Sequence, residues 1–213
     1  MSLQAQLEAV NASFTNAPAE LRDPINTART EFMKAFDVSG AIQPGQKLPE
    51  FQLPDSQNKT VSSSDLLSKG PLLITFYRGA WCPYCNLALH ALQSKLADIK
   101  AKGVTLVAIT PELPDASLSL AEKQKLEFPV LSDVGNKYAR QLGIIFKQPD
   151  SLRPVFEKLG FDLLKNNGDD SFEVPVPASL LVDRDGTVKK TFVDPDYTKR
   201  LEPSVALEWI DSL

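Results

Sequence analysis

Both cysteines of the chain, Cys82 and Cys85, lie two residues apart in the segment F-Y-R-G-A-W-C-P-Y-C-N at 76–86. A pair with this spacing can form a structural disulfide, half of a metal site or a redox centre. A disulfide stabilises a protein mainly by closing a long loop, and the loop between these residues is minimal. A structural zinc site needs four ligands, whereas the chain has two cysteines and one histidine. The spacing and the residue count therefore favour a redox centre.

The position of the pair in the chain indicates the same chemistry. The apolar run Leu72–Tyr77 predicts a buried strand just before the pair, and Pro83 suits the first position of a helix. We therefore expect Cys82 at or near the helix N-cap and Cys85 in the first turn. The free N–H groups and the positive dipole at a helix N-terminus favour a thiolate. One sulfur could then attack, and the other would lie close enough to resolve a mixed disulfide or a sulfenic acid.

The segments around the pair predict an α/β domain. A helix that runs from the pair to Gly103, followed by a second buried strand at Val104–Thr110, completes one β-α-β unit with a right-handed crossover. The chain then predicts a short strand at Val130–Leu131. A hairpin follows, with strands at Ser179–Val182 and Val188–Val193 around the turn D-R-D-G, and a closing helix at Pro203–Leu213. These elements indicate a mixed central sheet flanked by helices.

The first forty or so residues predict helices in front of this domain. Apolar residues recur at helical spacing in two stripes, and Gly40 suits the end of the second helix. The stripes consist of Leu3, Leu7, Val10 and Phe14, and of Ala28, Phe32, Ala35 and Phe36. We predict a helical extension at 1–44 and one domain at 45–213. The stripes most simply face the core, and their other use is contact between two copies in a homodimer.

Composition excludes some classes of function. The net charge is −4, and no lysine or arginine cluster is longer than a pair, so nucleic-acid binding is disfavoured. The first residues have no basic and apolar signal pattern, and no apolar run is long enough to span a membrane. We therefore expect a cytoplasmic protein, in a compartment that keeps thiols reduced. In that setting a Cys-x-x-Cys pair is more often catalytic or metal-binding than structural.

Four motifs in order resemble the alkyl hydroperoxide reductase/thiol-specific antioxidant superfamily, and specifically its peroxiredoxin-like branch with a Cys-x-x-Cys pair. They are F-Y-R-G-A-W-C-P-Y-C-N at 76–86, T-P-E at 110–112, F-P-V-L-S-D at 128–133 and V-P-A-S-L-L-V-D-R-D-G at 176–186. The resemblance runs from about residue 45 to the C-terminus. It implies a thioredoxin-like fold and the reduction of peroxides or disulfides through cysteine chemistry. We expect a thiol peroxidase without a cofactor or metal. Peroxide would be the substrate, and thioredoxin or another dithiol would be the reductant.

The match to the family pattern Pro-x-x-x-Thr-x-x-Cys departs from it in an informative way. The register places Arg78 at the proline, Cys82 at the threonine and Cys85 at the peroxidatic cysteine. A later family arginine, which helps to hold the peroxide, falls on Pro177. A proline at that place is what thioredoxins have, in the cis form, facing their Cys-x-x-Cys. The peroxiredoxin register makes Cys85 the attacking thiol, whereas thioredoxins attack with the first and more exposed thiol, here Cys82. The sequence leaves both open.

The remaining site candidates flank the pair. We expect the Arg78 guanidinium to stabilise a thiolate or a peroxide oxygen. Trp81, Tyr84 and a cis Pro177 are expected to form the surface that meets a substrate or a partner. Two other functions fit the same residues. One is a thiol–disulfide oxidoreductase that acts on protein disulfides, and the other is a redox sensor or adaptor that oxidises without turnover.

Overall fold

The computed structural model describes the backbone of residues 1–213 and all side chains except those of Leu118, Ser119 and Lys123. The helices are α1 (Leu3–Thr15), α2 (Ala19–Ala35), α3 (Ser63–Leu67), α4 (Pro83–Ser94), α5 (Leu96–Ala101), α6 (Pro114–Gln124), α7 (Lys137–Gln141), α8 (Arg153–Lys158), α9 (Leu163–Asn167) and α10 (Pro203–Asp211). The strands are β1 (Gln52–Pro54), β2 (Thr60–Ser62), β3 (Leu72–Phe76), β4 (Thr105–Thr110), β5 (Val130–Ser132), β6 (Ile145–Lys147), β7 (Glu173–Pro175), β8 (Ala178–Val182) and β9 (Val188–Val193).

The central sheet has the strand order β5-β4-β3-β8-β9 in the described backbone. Strands β3, β4 and β5 are parallel, whereas β8 and β9 run antiparallel to their neighbours. Every residue of β3 and β8 is buried, as expected for strands covered on both faces. The mixed sheet flanked by helices confirms the fold predicted from the sequence.

Two apolar layers cover the two faces of the sheet. One layer joins side chains of α1, α4, α5 and α10 to β4, and the other joins α3, α7 and the segment around Ile42 to β3 and β8. Two small antiparallel pairs, β1 with β2 and β6 with β7, lie outside the central sheet. No helix within the described residues is both long enough and apolar enough to cross a membrane.

Two predicted helix boundaries are wrong. The helix after the cysteine pair does not continue to Gly103, because the backbone leaves helical geometry at Lys95 (φ −109°, ψ 5°) and starts again as α5. Both α5 core residues, Leu96 and Ile99, remain buried. Helix α2 ends at Ala35, and Gly40 instead ends a short 3₁₀ turn. After the cysteine pair the apolar spacing indicated the buried face correctly but not the end of the helix. On α2 it indicated neither fully, since Ala28 is buried whereas Ala35 is exposed.

Helix α1 is part of the core rather than an appendage. Leu3 and Leu7 are 3% and 1% exposed and belong to the same apolar layer as α4. The Glu202 carboxylate accepts the backbone N–H groups of Leu3 and Gln4, which joins the first turn of α1 to the start of α10. Leu3 and Leu7 of the first predicted stripe thus pack against the core of their own chain. The division at residues 44 and 45 into extension and domain stays a prediction.

Loss of the Leu7 side chain should destabilise the whole protein. Leu7→Ala removes buried methyl groups from the layer shared with α4, so we expect the free energy of unfolding to fall by about 2–4 kcal/mol. Ser13→Ala on the same helix changes an exposed side chain, and we expect an effect within about 0.5 kcal/mol. Urea unfolding of both variants measures the difference. Equal stabilities would contradict the packing of α1 into the core.

Candidate active site

The cysteine pair lies where the central strand ends. Strand β3 ends at Phe76, which pairs with Ile109 on β4 and with Ala178 on β8. A short loop leads from there to α4, whose N-cap is Cys82 and whose first turn begins with Pro and contains the second cysteine. The backbone N–H of Cys85 donates to the Cys82 sulfur at 3.3 Å. The predicted positions of both cysteines are therefore confirmed.

Both sulfurs are buried and reduced. Cys82 and Cys85 are each 0% exposed, and neither is in a disulfide. The expectation that Cys82 is the more exposed thiol is wrong, because the aromatic residues and the helices around the loop cover both residues equally. A molecule that reacts at this site must enter through a cavity or through local movement of that cover.

Two guanidinium groups meet the two sulfurs. Arg78 Nη2 lies 3.2 Å from Cys82 Sγ, and Arg200 Nη2 lies 3.2 Å from Cys85 Sγ. Arg78 was expected from the sequence, but Arg200 was not. It comes from the loop before α10, 115 residues from its cysteine. The sequence signal for Arg200 was no more than its positive charge, in the segment D-Y-T-K-R at 196–200.

The surroundings push the pKa values of the two thiols apart. Burial disfavours the charged form of Cys85, but a hydrogen bond from Cys82 and the charges of Arg200 and Arg78 outweigh it, and the Cys85 pKa falls well below its usual range. Burial raises the pKa of Cys82 well above its usual range, and its hydrogen bond to Cys85 adds to that rise. These opposite directions favour a thiolate at Cys85 and a protonated Cys82 that donates to it.

Aromatic rings hold Arg78 in place. The guanidinium carbon lies 3.9 Å from the centre of the Tyr197 ring and 4.8 Å from that of Trp81, within cation–π range. Burial opposes the charge of Arg78, but the nearby Cys82 and Cys85 sulfurs outweigh it, so its pKa is raised above the ordinary value. Arg78 therefore stays protonated although it is only 5% exposed.

The segment that carries Tyr197 and Arg200 is tied to helix α2. Arg29 Nη2 lies 2.6 Å from an Asp196 carboxylate oxygen, and the other oxygen accepts the N–H and the hydroxyl of Thr198. Arg200 in turn donates through its second amino group to the carbonyl groups of Tyr197 and Lys199. These bonds fix the direction of the Arg200 side chain toward Cys85.

Tyr84 is buried and Trp81 is half-buried. The Trp81 ring packs against Phe156 and Phe161, with ring centres 5.1 and 5.4 Å apart. Tyr84 is 7% exposed, and its hydroxyl donates to Asn11 Oδ1 on α1 at 2.8 Å. Both side chains thus wall the site beneath the N-terminal helices.

The predicted cis proline is wrong. The described chain has no cis peptide bond, so the bond between Val176 and Pro177 is trans. Pro177 directly precedes β8, whose first residue, Ala178, pairs with Phe76 at the end of β3. The proline is therefore buried at the edge of the site in an ordinary extended connection. The trans bond removes the main sequence reason for regarding this site as thioredoxin-like.

A buried carboxylate positions the loop before the cysteines. Both oxygens of Glu112 lie 3.0 Å from the backbone nitrogen of Ala80, and the Asn86 amide donates to the Ala80 carbonyl. Gly79 has φ +147°, and a Cβ there would lie 2.5 Å from Trp81 Nε1 and 2.8 Å from Glu112 Oε1. Burial raises the pKa of Glu112 to about 7. The glutamate of the T-P-E motif thus holds the loop before the cysteines through hydrogen bonds, a role that the sequence did not reveal.

The described side chains include no group of three His, Cys, Asp or Glu residues arranged to hold a metal ion. The chemistry available at this site is that of a thiolate, a neighbouring thiol and two guanidinium groups. Groups of these kinds can supply a nucleophile, a resolving thiol and cations that stabilise a negatively charged leaving oxygen.

Removal of the Arg200 charge should raise the pKa of Cys85, because a cation that stabilises the thiolate is lost. Arg200→Gln is the test, and the thiolate fraction is measured by absorbance near 240 nm across a pH titration. Arg184→Gln is the matched control, since it removes one exposed positive charge in the turn after β8, at the opposite end of that strand from the Ala178–Phe76 pair beside the site. An unchanged Cys85 titration in Arg200→Gln would contradict the assigned role.

Glu112 should make stability depend on pH. Its pKa rises from 4.5 in the unfolded chain to about 7 in the folded protein. The protonated carboxyl group therefore contributes its full stability below pH 4.5. That stability is lost as pH rises to about 7, because the unfolded chain releases the proton first. At about 1.4 kcal/mol per pKa unit, the loss is about 3 kcal/mol. Relative to the wild type, Glu112→Gln should therefore gain stability over this interval, whereas exposed Glu31→Gln should not. Urea unfolding at pH 4.5, 6 and 7.5 measures it, and parallel curves for all three proteins would contradict it.

The sequence model described as the AhpC/TSA family matches residues 44–191. Over 103 residues, the chain is 32% identical to the putative peroxiredoxin bcp of Buchnera aphidicola, a match that covers 48% of this chain and 65% of that protein. The matched region thus spans slightly less than two thirds of the Buchnera protein's length. The chain is 25% identical over 169 residues to peroxiredoxin Bcp of Escherichia coli K12, covering 79% of this chain and 96% of that protein.

The fold is also similar to a solved structure. The crystal structure of peroxidoxin BcpB from Mycobacterium tuberculosis superposes with a TM-score of 0.62, covering 81% of this chain and 98% of that one. The sequence identity of the superposed parts is 20%. At that identity the similarity concerns the fold.

Proposed function

Because the chain belongs to the AhpC/TSA family, we propose that it is a thiol-dependent peroxidase that reduces hydrogen peroxide or organic hydroperoxides. Cys85 is the attacking thiolate and Cys82 is the resolving thiol. One observation carries this assignment: the Cys85 sulfur receives hydrogen bonds from Cys82 and Arg200, which lower its pKa, while the Cys82 pKa is raised. The peroxidases named among its relatives support the same chemistry.

The first step is nucleophilic. The Cys85 thiolate attacks the terminal oxygen of the peroxide, an S–O bond forms, and the O–O bond breaks with its electron pair on the leaving oxygen. Cys85 becomes a sulfenic acid. Arg78 and Arg200, each 3.2 Å from a sulfur, are placed to stabilise the negative charge that moves from sulfur to oxygen.

The second step closes the disulfide. The Cys82 sulfur attacks the Cys85 sulfur and displaces its hydroxyl group, and Cys82 and solvent supply the protons for the alcohol or water products. The pair thereby loses two electrons, which a dithiol such as thioredoxin restores by thiol–disulfide exchange. Since Cys82 is the N-cap of the helix that carries Cys85, the two residues can join without a large unfolding step.

The raised pKa of Cys82 disfavours a general thiol–disulfide oxidoreductase of the thioredoxin kind. Such an enzyme attacks a protein disulfide with its first thiol in the thiolate form. Burial raises the pKa of Cys82, so that it keeps its proton, and Pro177 is trans. A redox sensor would differ in rate, because it would oxidise once without turnover. The cytoplasm, where thiols are kept reduced, is the compartment that we propose for this cycle.

Graded peroxide should convert the wild type to an intramolecular Cys82–Cys85 disulfide with little over-oxidation. Cys82→Ser should react at Cys85 and then proceed to the sulfinic acid, because no nearby thiol traps the sulfenic acid. Cys85→Ser should lose its reactivity with peroxide. Intact mass after graded exposure measures all three proteins.

Steady-state peroxide consumption with a thioredoxin system separates the remaining functions. Turnover supports the peroxidase, whereas one equivalent consumed without turnover supports the sensor. If both serine variants reacted with peroxide as slowly as free cysteine, the site would not activate a thiolate and the proposed function would fail.

A further inference from the structure

An apolar cavity of about 190 Å³ lies beside the cysteine pair, beneath helices α1 and α2. Its walls are mostly aromatic and aliphatic side chains contributed by α1, α2, β6, α8 and the loop after α8. They include Phe14, Ile25, Phe32, Phe146, Phe156 and Phe161. Trp81, Pro83 and Tyr84, which flank the two cysteines in the chain, also line it. The cavity therefore reaches the loop and helix turn that carry the reactive sulfurs.

Four residues of the cavity lining carry a buried donor atom without a partner. Among the described side chains, Arg29 Nε, Arg78 Nε, Trp81 Nε1 and Gln148 Nε2 are buried and donate to no acceptor. All four residues line the cavity, and Gln148 is only 2% exposed. A buried donor left unpaired costs roughly 1–3 kcal/mol. The cavity thus offers an apolar body together with hydrogen-bond donors for an oxygen atom.

The size of the cavity narrows the class of ligand. An engineered apolar cavity of about 150 Å³ in another protein holds benzene. A cavity of about 190 Å³ is therefore large enough for a phenyl ring or a short branched alkyl group with one or two oxygen atoms. Hydrogen peroxide has no apolar part and would gain nothing from these walls.

Arg78 connects the cavity to the reaction. Its guanidinium lines the cavity and lies 3.2 Å from Cys82 Sγ, and its backbone is hydrogen-bonded to Cys85. An oxygen that accepts a hydrogen bond from Arg78 at the cavity wall is thus held next to the cysteine pair.

We propose that this cavity binds the organic group of an aryl or short branched alkyl hydroperoxide, and that such compounds are the preferred substrates of the chain. The inference rests on the proposed peroxidase function. The hydroperoxide R–O–O–H enters with its organic group between α2 and α8 and its oxygens toward Arg78. The Cys85 thiolate takes the terminal oxygen, the O–O bond breaks, and the alcohol R–O–H leaves after protonation. The electrons come from the cysteine pair, as in the reaction with hydrogen peroxide.

Ala28 and Ala35 give a matched pair of variants on α2. Ala28 is 7% exposed and lines the cavity. Ala35 is exposed on the same helix and lies outside the cavity lining. Ala28→Leu should fill part of the space that the organic group needs, whereas Ala35→Leu adds the same atoms elsewhere.

The experiment compares cumene hydroperoxide with hydrogen peroxide in single-turnover oxidation of the reduced full-length chain, followed by quenched mass spectrometry. This readout needs no reductant. We expect the second-order rate constant of the wild type to be about tenfold higher for cumene hydroperoxide. Ala28→Leu should lower the ratio of the two rate constants about tenfold, and Ala35→Leu should leave it within about twofold.

A binding measurement on the wild type alone keeps the inference testable if Ala28→Leu does not fold. The product alcohol, 2-phenyl-2-propanol, should raise the melting temperature of the reduced protein, and ethanol, which has neither a ring nor a branched alkyl group, should not at the same concentration. Oxidation by hydrogen peroxide without preference for the aryl compound, or no thermal shift with the alcohol, would overturn the inference alone. Oxidation by neither peroxide would overturn the proposed function and this inference with it.

Discussion

A buried thiolate is stable only when hydrogen bonds and positive charges replace the water that burial removes. Cys85 is fully buried, and a guanidinium and a neighbouring thiol supply that replacement. The rest of the site follows from this constraint. Arg78 must itself be held and kept charged in a buried setting, and aromatic rings flank it. Arg200 must be directed toward Cys85, and carbonyl groups accept its hydrogen bonds. Cys82 keeps its proton because a second buried negative charge beside the first would be too costly.

Three parts of the fold meet at this charge. Strand β3 and the N-terminus of α4 carry the cysteines, the T-P-E turn after β4 supplies Glu112 to the loop, and the segment before α10 supplies Arg200. Each part belongs to a different element of the fold, and all three lie at the carboxyl ends of the parallel strands. This edge of an open α/β sheet is where such folds place their sites. The chemistry therefore depends on the whole sheet, not only on the Cys-x-x-Cys segment.

The N-terminal helices add a property to this arrangement. They contribute to the apolar core through Leu3 and Leu7, to the Arg200 segment through the Arg29–Asp196 pair, and to the cavity beside the sulfurs. A cover that excludes water strengthens electrostatic interactions inside the site. The same cover leaves apolar walls where an organic group can bind. Stability, thiolate chemistry and the proposed selectivity therefore all depend on α1 and α2.

The sequence alone determined the features that depend on neighbouring residues. The apolar run before the pair, Pro83 and the Cys-x-x-Cys spacing predicted a strand, a helix start and two cysteines in one turn, because strand and cap signals act over a few residues. The tertiary structure decided which sulfur ionises, since Arg200 reaches Cys85 from 115 residues away. It also decided the trans state of Pro177 and the break at Lys95, because both depend on packing between distant segments. Neither the pKa values nor the cavity could be predicted from spacing, because both are set by side chains that meet only in the folded chain.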